Sequence, residues 1–370
     1  MGHFRTLAAP AALAALTLIA TLAMPFAAHA APRTALFSIT VLPAEMTPGA
    51  MNQAGHVVGS GIDGIRLWRG GAVMRVPAVG AGYSDGLGIN KHDDLAGTSA
   101  IGTGGVAFAW IGRAVHNIGA AAPDFASSFA RRINDSGWVV GALYEGVGGI
   151  ESRGFIYRNG DIRLLPTLGG NNGSALGVSN RGHVTGLAGL RSTPPNTNGG
   201  HAYLFHDGKI RDLGVLPGDD FSVGLDVNDL GQVVGSSASL RTQGNRGFVY
   251  AHGKMVDVGT LGGTTTDALA INNAGVVVGR SYLRNDETAQ RGFIYARGRL
   301  VDLNRLVVPT DGWVIMHAED INDGFQVLAY ACRNGIQECR TVRLDPLRHL
   351  CNGRLAEVMP TLIHDAALKR

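Results

Sequence analysis

Residues 246–279 read RGFVYAHGKMVDVGTLGGTTTDALAINNAGVVVG, and most of this stretch returns along the chain at a spacing of about 45 residues. It contains four short apolar runs separated by turn signals such as His252-Gly253. None of the runs has the length or the i, i+3, i+4 spacing of an amphipathic helix. The stretch therefore predicts four β-strands in each repeat.

Each repeat carries an anchor, which consists of an apolar residue, Asn, two variable residues, Gly, and an apolar pair closed by Gly. A repeat of 40 to 50 residues with four strands is typical of a β-propeller blade. The sequence therefore predicts an all-β fold, a seven-bladed β-propeller of four-stranded antiparallel blades spanning residues 31–345. The seven anchors are Met51–Gly59, Ile89–Gly97, Ile133–Gly141, Val178–Gly186, Val227–Gly235, Ile271–Gly279 and Ile321–Ala329.

Length and composition agree with this prediction. The 370 residues include 54 glycines, which fall at turn positions and not in the three-residue period of collagen. The net charge of +3 is spread over the chain without a basic run, which argues against nucleic acid as a partner. No cofactor or metal motif is present in the sequence, and a monomer is expected.

The two ends of the repeat array have complementary defects. Residues 35–43 resemble the fourth strand of a repeat with no first three strands before it, and the last repeat shows no clear fourth strand after Leu344. We therefore expect the N-terminal strand to complete the seventh blade and close the ring. The tail, residues 346–370, is predicted to form one or two short helices interrupted at Pro360.

Residues 1–30 combine Arg5, an apolar stretch and an Ala28-His29-Ala30 sequence suited to cleavage before Ala31. This pattern predicts a secretory signal peptide, with a retained membrane anchor as the alternative. After cleavage no membrane span is expected. The sequence thus places the mature protein outside the cytoplasm, secreted or periplasmic in a bacterium.

The turn chemistry predicts two unlike faces. The Asn-x-x-Gly step and the X-Gly pairs between strands three and four are tight turns, and both lie at one end of a blade. The longer connections lie at the opposite end, which we call the loop face; the end with the tight turns is the short-turn face. Long loops on a rigid scaffold usually carry binding, so a ligand is expected at the loop face.

The repeats resemble the HAF repeat of secreted bacterial proteins. The likeness rests on His201-Ala202-Tyr203, on Leu213-Gly214-Val215-Leu216, on Thr260-Leu261-Gly262-Gly263 and on the seven anchors. Arg153, Arg246 and Arg291 replace the His of that motif, and the first two repeats keep only the anchor and an aromatic strand. The resemblance implies an extracellular repeat protein and carries no catalytic residues across.

Charged residues recur at two places in the first strand of several repeats. Asp85, Asp267 and His317 stand five residues before the anchor asparagine, where the strand begins at the mouth of the central channel. Two residues before it stand Arg132, Asp226 and Asp320, and these could simply pair with one another across a solvated channel. Of the four tryptophans, only Trp313 is expected at the loop face. These seven residues are the predicted ligand-binding set.

Two functions remain open from the sequence. The first is a non-catalytic binding or scaffold protein that recognises a glycan or a protein at the cell envelope through its loop face. The second is a glycan-acting hydrolase or lyase that uses acidic residues at the channel mouth. The absence of a Gly-x-Ser-x-Gly or His-Glu-x-x-His motif favours the first.

The three cysteines allow one disulfide in an oxidising compartment. Cys332 and Cys339 flank an Asn334-Gly335 turn signal on neighbouring predicted strands. We expect these two to be joined and Cys351 to be free; a bond from either of them to Cys351 is the alternative.

Overall fold

The computed structural model describes residues 35–368 except positions 81, 103, 147–150, 192–198, 240, 242–243, 285, 309–310 and 348–354. The predicted leader, residues 1–30, and Cys351 lie outside the described residues. Within them the chain forms 28 strands and one α-helix.

The strands follow the repeats in order. The first thirteen are β1 Phe37–Val41, β2 Thr47–Met51, β3 Val57–Gly61, β4 Gly64–Arg69, β5 Ala72–Val76, β6 Ser84–Ile89, β7 Leu95–Ile101, β8 Gly104–Ile111, β9 Ala114–Asn117, β10 Ser127–Ile133, β11 Val139–Tyr144, β12 Ser152–Arg158 and β13 Asp161–Leu164. The next eight are β14 Gly169–Val178, β15 Val184–Leu190, β16 His201–His206, β17 Lys209–Gly214, β18 Phe221–Val227, β19 Val233–Ala238, β20 Asn245–Ala251 and β21 Lys254–Asp257. The last seven are β22 Gly262–Ile271, β23 Val277–Leu283, β24 Asp286–Ala296, β25 Arg299–Asp302, β26 Val314–Ile321, β27 Val327–Arg333 and β28 Glu338–Pro346.

These strands form seven sheets of four antiparallel strands. Six sheets use four consecutive strands, from β2-β3-β4-β5 in the first blade to β22-β23-β24-β25 in the sixth. The seventh has the order β26-β27-β28-β1. The prediction of an all-β, seven-bladed propeller is confirmed.

The N-terminal strand β1 is the outer strand of the seventh sheet. It pairs with β28 from Phe37 opposite Pro346 to Val41 opposite Val342. Leu36 and Phe37 are buried in the apolar core between the sixth and seventh blades. That the ring depends on this strand for its closure stays a prediction.

The predicted tight turns of the short-turn face have the backbone that their sequences require. Asn159, Asp207, His252 and Arg297 have φ between 48° and 52°, and the glycine after each also has positive φ. Two successive positive φ values define the type I′ turn, whose twist matches that of the flanking strands. The turn residues therefore explain why these hairpins are short.

The anchor asparagine shapes its own turn. In the sixth blade Asn272 Oδ1 accepts the backbone N–H groups of Ala274 and Val276, at 3.1 and 3.0 Å. The third residue after the anchor asparagine, or after Ser179 in the fourth blade, has positive φ in every blade, including Asp93 (64°) and Phe325 (60°). In the seventh blade the glycine stands one place earlier, at Gly324, so a buried phenylalanine takes the left-handed position that sequence patterning assigned to glycine.

The glycine that closes each anchor is fixed by close packing. A Cβ on Gly141 would lie 1.9 Å from the carbonyl oxygen of Phe129 on the innermost strand, and Gly235 and Gly279 have the same close approach to Val223 and Asp267. Each innermost strand has a β-bulge just beyond this contact. The seventh blade carries Ala329 at this place, and its innermost strand also has a register shift after Ala318.

The C-terminal tail forms one helix, α1, over Leu355–Leu368. It continues through Pro360, so the expected interruption there is wrong. Met359 and Ile363 are fully buried in the core that also holds Leu36, Phe37 and Val301. This packing supplies the tertiary support that offsets the hydrogen bond lost at proline. In the part of the chain that the structure describes, no helix is long and apolar enough to cross a membrane.

Candidate functional site

The six anchor asparagines are joined by hydrogen bonds around the channel at the short-turn face, in a ring that among the described residues is open between Ser179 and Asn228. Each side-chain amide donates to the backbone carbonyl of the anchor residue in the next blade. The links are Asn52 to Asn90 (3.0 Å), Asn90 to Asn134 (3.2 Å), Asn134 to Ser179 (2.9 Å), Asn228 to Asn272 (3.0 Å), Asn272 to Asn322 (3.2 Å) and Asn322 to Asn52 (3.1 Å).

A second series of contacts lies one residue further along the turn, from the second blade through to the seventh. The backbone N–H of that residue donates to the side chain of its counterpart in the next blade, as Asp135 does to Asn180 (2.8 Å) and Asp229 does to Asn273 (2.9 Å). The Nδ2 group of an anchor asparagine is thus used between blades, and its Oδ1 is used within its own turn. The anchor asparagines therefore act in the architecture, in agreement with their interpretation as turn formers.

Asp226 and Asp320 also make contacts between blades. The two oxygens of Asp226 accept the N–H groups of Val227 and Ile271, both at 2.9 Å, and those of Asp320 accept from Ile321 (2.8 Å) and Met51 (2.9 Å). Each carboxylate thus joins its own strand to the innermost strand of the following blade.

Burial disfavours the ionised form of both carboxylates. Burial raises the pKa of Asp226 to about 6, although the charge of Arg132 and the two N–H donors act to lower it. Burial likewise raises the pKa of Asp320 against the opposing effect of Arg132. Arg132 itself donates to the carbonyl of Leu87 at 2.6 Å. Arg132 therefore acts on the two aspartates through its charge. Among the described residues its hydrogen bond goes to the backbone of Leu87 and not to either carboxylate.

Asp85 and Asp267 occupy equivalent places in the second and sixth blades. Each accepts a hydrogen bond at 2.7 Å from a serine on the second strand of the preceding blade, Ser60 and Ser236 respectively. Asp267 also accepts from Asn245 Nδ2 (3.0 Å) and from Arg280 Nε (2.8 Å), and it is almost fully buried. Asp267 is therefore saturated by protein donors, whereas the half-buried Asp85 keeps capacity for a ligand.

His317 and Trp313 are both engaged within the seventh blade. His317 Nδ1 lies 2.5 Å from Glu319 Oε1, and its ring stacks on Tyr330 with centroids 5.1 Å apart. Burial acts to raise the pKa of Glu319, but the hydrogen bond and charge of His317 lower it overall. The guanidinium of Arg333 lies over the Trp313 ring at 4.8 Å. One face of that ring is thus already covered by a cation.

The structure brings a different set of residues around Asp85. A cleft of about 560 Å³ opens between the second and third blades, and it is lined by Asp85, Tyr83, Phe129, Arg131 and Tyr144 among others. Tyr83 is 56% exposed and Phe129 is 38% exposed, which is unusual for large aromatic rings. Phe129 meets Tyr144 edge to face, with centroids 5.4 Å apart. The cleft therefore presents aromatic surface beside charged groups.

Charge is balanced within this cleft. The hydrogen bond to Asp85 is the main cause that raises the pKa of Tyr83, with burial and the Asp85 charge acting in the same direction. Burial and the neighbouring Arg132 lower the pKa of the Arg131 guanidinium, while the carboxylates of Glu319 and Asp85 oppose them. A carboxylate, a phenol and a guanidinium thus stand together at the end of the channel.

Sequence reasoning found Asp85 and missed its neighbours. Phe129 stands five residues before its anchor asparagine, the same place as Asp85, so the repeat alignment contained that signal. Arg131 and Leu87 are the residues skipped at the register shifts of their strands, and they line the cleft together with Phe129 and Asp85. Each stands two places after one of those residues, so the period of two could have placed both.

The sequence predicts a ligand at the loop face, because the turns of the short-turn face are tight and offer little material for a pocket. The short-turn face nevertheless has a cleft. A cleft of about 650 Å³ lies there between the third and fourth blades. Trp138, which the sequence left unassigned, is in its wall.

Comparison with known proteins adds descriptions of similar folds. No protein-family model and no curated protein matches the chain. One similar solved structure is the β-propeller domain of the Trilobed protease from Pyrococcus furiosus, with 11% identity, a TM-score of 0.49, and coverage of 84% of this chain and 93% of that one. Another is the extracellular domain of a putative one-component system from B. thetaiotaomicron, with 9% identity, a TM-score of 0.47, and coverage of 84% and 40%.

A third is a gluconolactonase from Xanthomonas campestris, with 9% identity, a TM-score of 0.41, and coverage of 86% and 93%. Nothing about the activity of this chain follows from these structures. The class of protein defined by the strand pairing is a seven-bladed β-propeller.

Proposed function

We propose that this protein is a non-catalytic glycan-binding propeller whose site is the cleft between the second and third blades. The observation that carries the proposal is the presence of two exposed aromatic rings, Tyr83 and Phe129, beside Asp85 and Arg131 in one cleft. A volume of about 560 Å³ lies in the range of small-ligand sites.

The chemistry of this lining suits a sugar. The apolar face of a pyranose ring packs on an aromatic ring, and the hydroxyl groups around its edge require both donors and acceptors. Asp85 accepts, Arg131 donates, and the Tyr83 hydroxyl, whose proton is donated to Asp85, can accept. Phe129 lies in β10, and Tyr83 directly precedes β6, where its carbonyl accepts from Ala100 N at 2.8 Å. Both backbones are thus fixed, so little conformational entropy is lost when a ligand binds.

A glycan-acting hydrolase or lyase is the alternative, and the carboxylates give it less support. Glycoside hydrolysis needs a carboxyl with a raised pKa beside an ionised one. The raised pKa values found here belong to Asp226 and Asp320, whose oxygens are already engaged by backbone N–H groups. The pKa of Glu319, at the mouth, is instead lowered.

The cellular setting belongs to the same proposal. The secretory leader predicted for residues 1–30 and the resemblance to HAF repeats support a protein that is exported and acts at the bacterial cell envelope. We propose envelope or environmental polysaccharides as the ligand class, with protein ligands as the competing class.

A glycan array of neutral oligosaccharides, followed by calorimetric titration of each hit, tests the proposal. Tyr83→Ala and Asp85→Asn should each weaken binding by about tenfold or more, the loss expected for a stacked ring or a charged hydrogen bond. Leu230→Ala, which alters an exposed apolar residue of the short-turn face, is the control and should change nothing.

The proposal fails if no neutral glycan binds, or if the affinity survives both changes at the cleft. Release of reducing ends from a bound oligosaccharide, lost in Asp85→Asn, would favour the hydrolase instead.

A further inference from the structure

The cleft on the short-turn face differs in chemistry from the one at the loop face. It lies between the hairpin Arg158-Asn159-Gly160-Asp161 of the third blade and the hairpin around Asp207-Gly208 of the fourth. Its volume, about 650 Å³, suits a ligand of one or two sugar rings. Three arginines line it, namely Arg158, Arg163 and Arg181.

Two of these guanidinium groups are positioned by aromatic rings. Arg158 Cζ lies 5.5 Å from the centroid of Trp138, and Arg163 Cζ lies 5.6 Å from that of Phe205. Stacking fixes the plane of a guanidinium and leaves its N–H groups directed outward. These edges are the part of arginine that binds a carboxylate in a bidentate manner.

The N–H groups of these three side chains have no acceptor within the described residues. No carboxylate of that part of the chain lies within 4.0 Å of Arg158, Arg163 or Arg181. Some arginines elsewhere are paired, as Arg246 is with Asp219, Arg280 with Asp267 and Arg343 with Asp345, each at 2.8 Å. Three unpaired cations in one cleft therefore favour an anionic ligand.

The same cleft also contains acceptors. Asp161, Asp207 and Asn159 line it, and Asp207 lies 3.3 Å from His206 Nε2. In addition, Trp138 Nε1 and His206 Nδ1 are buried polar atoms without a hydrogen-bond partner among the described residues. A simple anion such as phosphate would meet the arginines but would be repelled by the aspartates. A ligand with both an anionic group and hydroxyl groups would satisfy both kinds of residue.

We propose that this cleft is a second binding site, specific for an acidic sugar of the uronate class. The sugar carboxylate is bound by Arg158, Arg163 and Arg181, and the sugar hydroxyls donate to Asp161 and Asp207. The site lies on the opposite face from the proposed neutral-glycan cleft and shares no residue with it. It therefore stands or falls independently of that proposal.

The test uses calorimetric titration of the full chain with α- and β-linked uronic acid oligosaccharides at low salt. The methyl esters of the same oligosaccharides are the matched ligands, since they keep the hydroxyls and lose the charge. We expect the acids to bind at least about tenfold more tightly than the esters, the difference that one charge-assisted hydrogen bond contributes.

A pair of matched double variants locates the site. Arg158→Gln/Arg163→Gln should weaken binding of the acids by about tenfold to a hundredfold. Arg297→Gln/Arg299→Gln alters two exposed arginines of the equivalent hairpin in the sixth blade and should leave binding unchanged. All four positions are at the surface, and the melting temperature of each variant shows that it folds.

Three results overturn the proposal. They are the absence of binding by any uronic acid oligosaccharide, equal binding of acid and ester, and equal losses in the two double variants. Loss of acid binding in Tyr83→Ala would also contradict it, since that change belongs to the other cleft.

Discussion

The side-chain amide of Asn322, in the seventh blade, donates to the backbone carbonyl of Asn52, in the first blade, at 3.1 Å. The two residues are 270 positions apart in the sequence. Their bond continues the ring of anchor amides from the seventh blade to the first. The ring is therefore held at its channel by hydrogen bonds as well as by strand pairing and apolar packing.

Among the described residues the ring of anchor amides lacks one hydrogen bond, and supplying that bond should stabilise the protein. Within the described residues Ser179, the anchor residue of the fourth blade, makes no bond to the carbonyl of Asn228. Its hydroxyl instead accepts from the N–H groups of Arg181 and His183 and contacts His183 Nδ1, each at 3.2 Å. Ser179→Asn places an amide where the other six blades have one. We expect the free energy of unfolding to rise by about 0.5–1.5 kcal/mol, measured by denaturant unfolding.

Asn134→Ser is the matched control for that change, since it removes the link that Asn134 makes to Ser179. It should lower the free energy of unfolding by a similar amount or slightly more. If both substitutions change the free energy of unfolding in the same direction, the hydrogen bonds between anchor residues do not explain the change.

The fold could be predicted from the sequence because each repeat contains its own turn chemistry. Asn272 and Gly275 form the anchor turn by local contacts, and His252-Gly253 forms a hairpin without help from distant residues. Local rules of this kind repeat with the sequence. Seven copies therefore define seven blades.

The clefts could not be predicted because their walls come from different blades. Tyr83 and Phe129 are separated by a whole repeat, and Trp138 meets Arg181 and Asp207 only after two blades pack together. Phe325 shows the same limit in the core. Its positive φ is imposed by the turn that all seven blades share, and its side chain is buried among residues of the sixth and seventh blades.

Asp226 should make stability depend on pH. Its pKa is about 6 in the folded protein, above the usual value near 3.8, so the folded state binds the proton more tightly than the unfolded state does. The contribution of this group is therefore full below about pH 4 and is lost as pH rises through 6. The loss should reach about 1–3 kcal/mol at pH 7.

Asp226→Asn cannot titrate and keeps one acceptor for the backbone. The difference in free energy of unfolding between this variant and the parent protein, measured from pH 4 to pH 8, should move in favour of the variant as pH rises. If the free energies of unfolding of the two proteins run parallel over this pH range, the pKa of the Asp226 carboxyl is not raised in the folded protein.

Strand β1 should contribute more to stability than the tail. Removing residues 31–43 deletes the outer strand of the seventh blade together with the buried Leu36 and Phe37. Removing residues 350–370 also has a cost, because Met359 and Ile363 are buried, but it leaves all seven sheets complete. Thermal unfolding of both truncated proteins decides the matter. An unchanged melting temperature after the N-terminal deletion would show that β1 does not close the ring.

A disulfide joins Cys332 and Cys339, which face each other across β27 and β28. Closing so short a loop should stabilise the protein by roughly 2–3 kcal/mol in the chain-entropy model. Peptide mapping without reduction should recover the two cysteines in one linked peptide and Cys351 as a free thiol. A linked peptide containing Cys351 would contradict the assignment.

Asp267 and Asp85 should respond differently to the same substitution, although they hold equivalent places in their blades. Asp267→Ala leaves Ser236, Asn245 and Arg280 without their shared acceptor in a buried setting, so we expect a loss of about 2–4 kcal/mol in the free energy of unfolding.

Asp85→Ala removes the contacts with Ser60 and Tyr83 beside an open cleft where water can replace them, so it should cost about 1 kcal/mol or less and act chiefly on ligand binding. Denaturant unfolding and glycan titration of both variants separate the two roles. Equal losses in the free energy of unfolding would mean that Asp85 stabilises the fold as much as Asp267 does. Loss of glycan binding only in Asp267→Ala would mean that the ligand binds at the sixth blade.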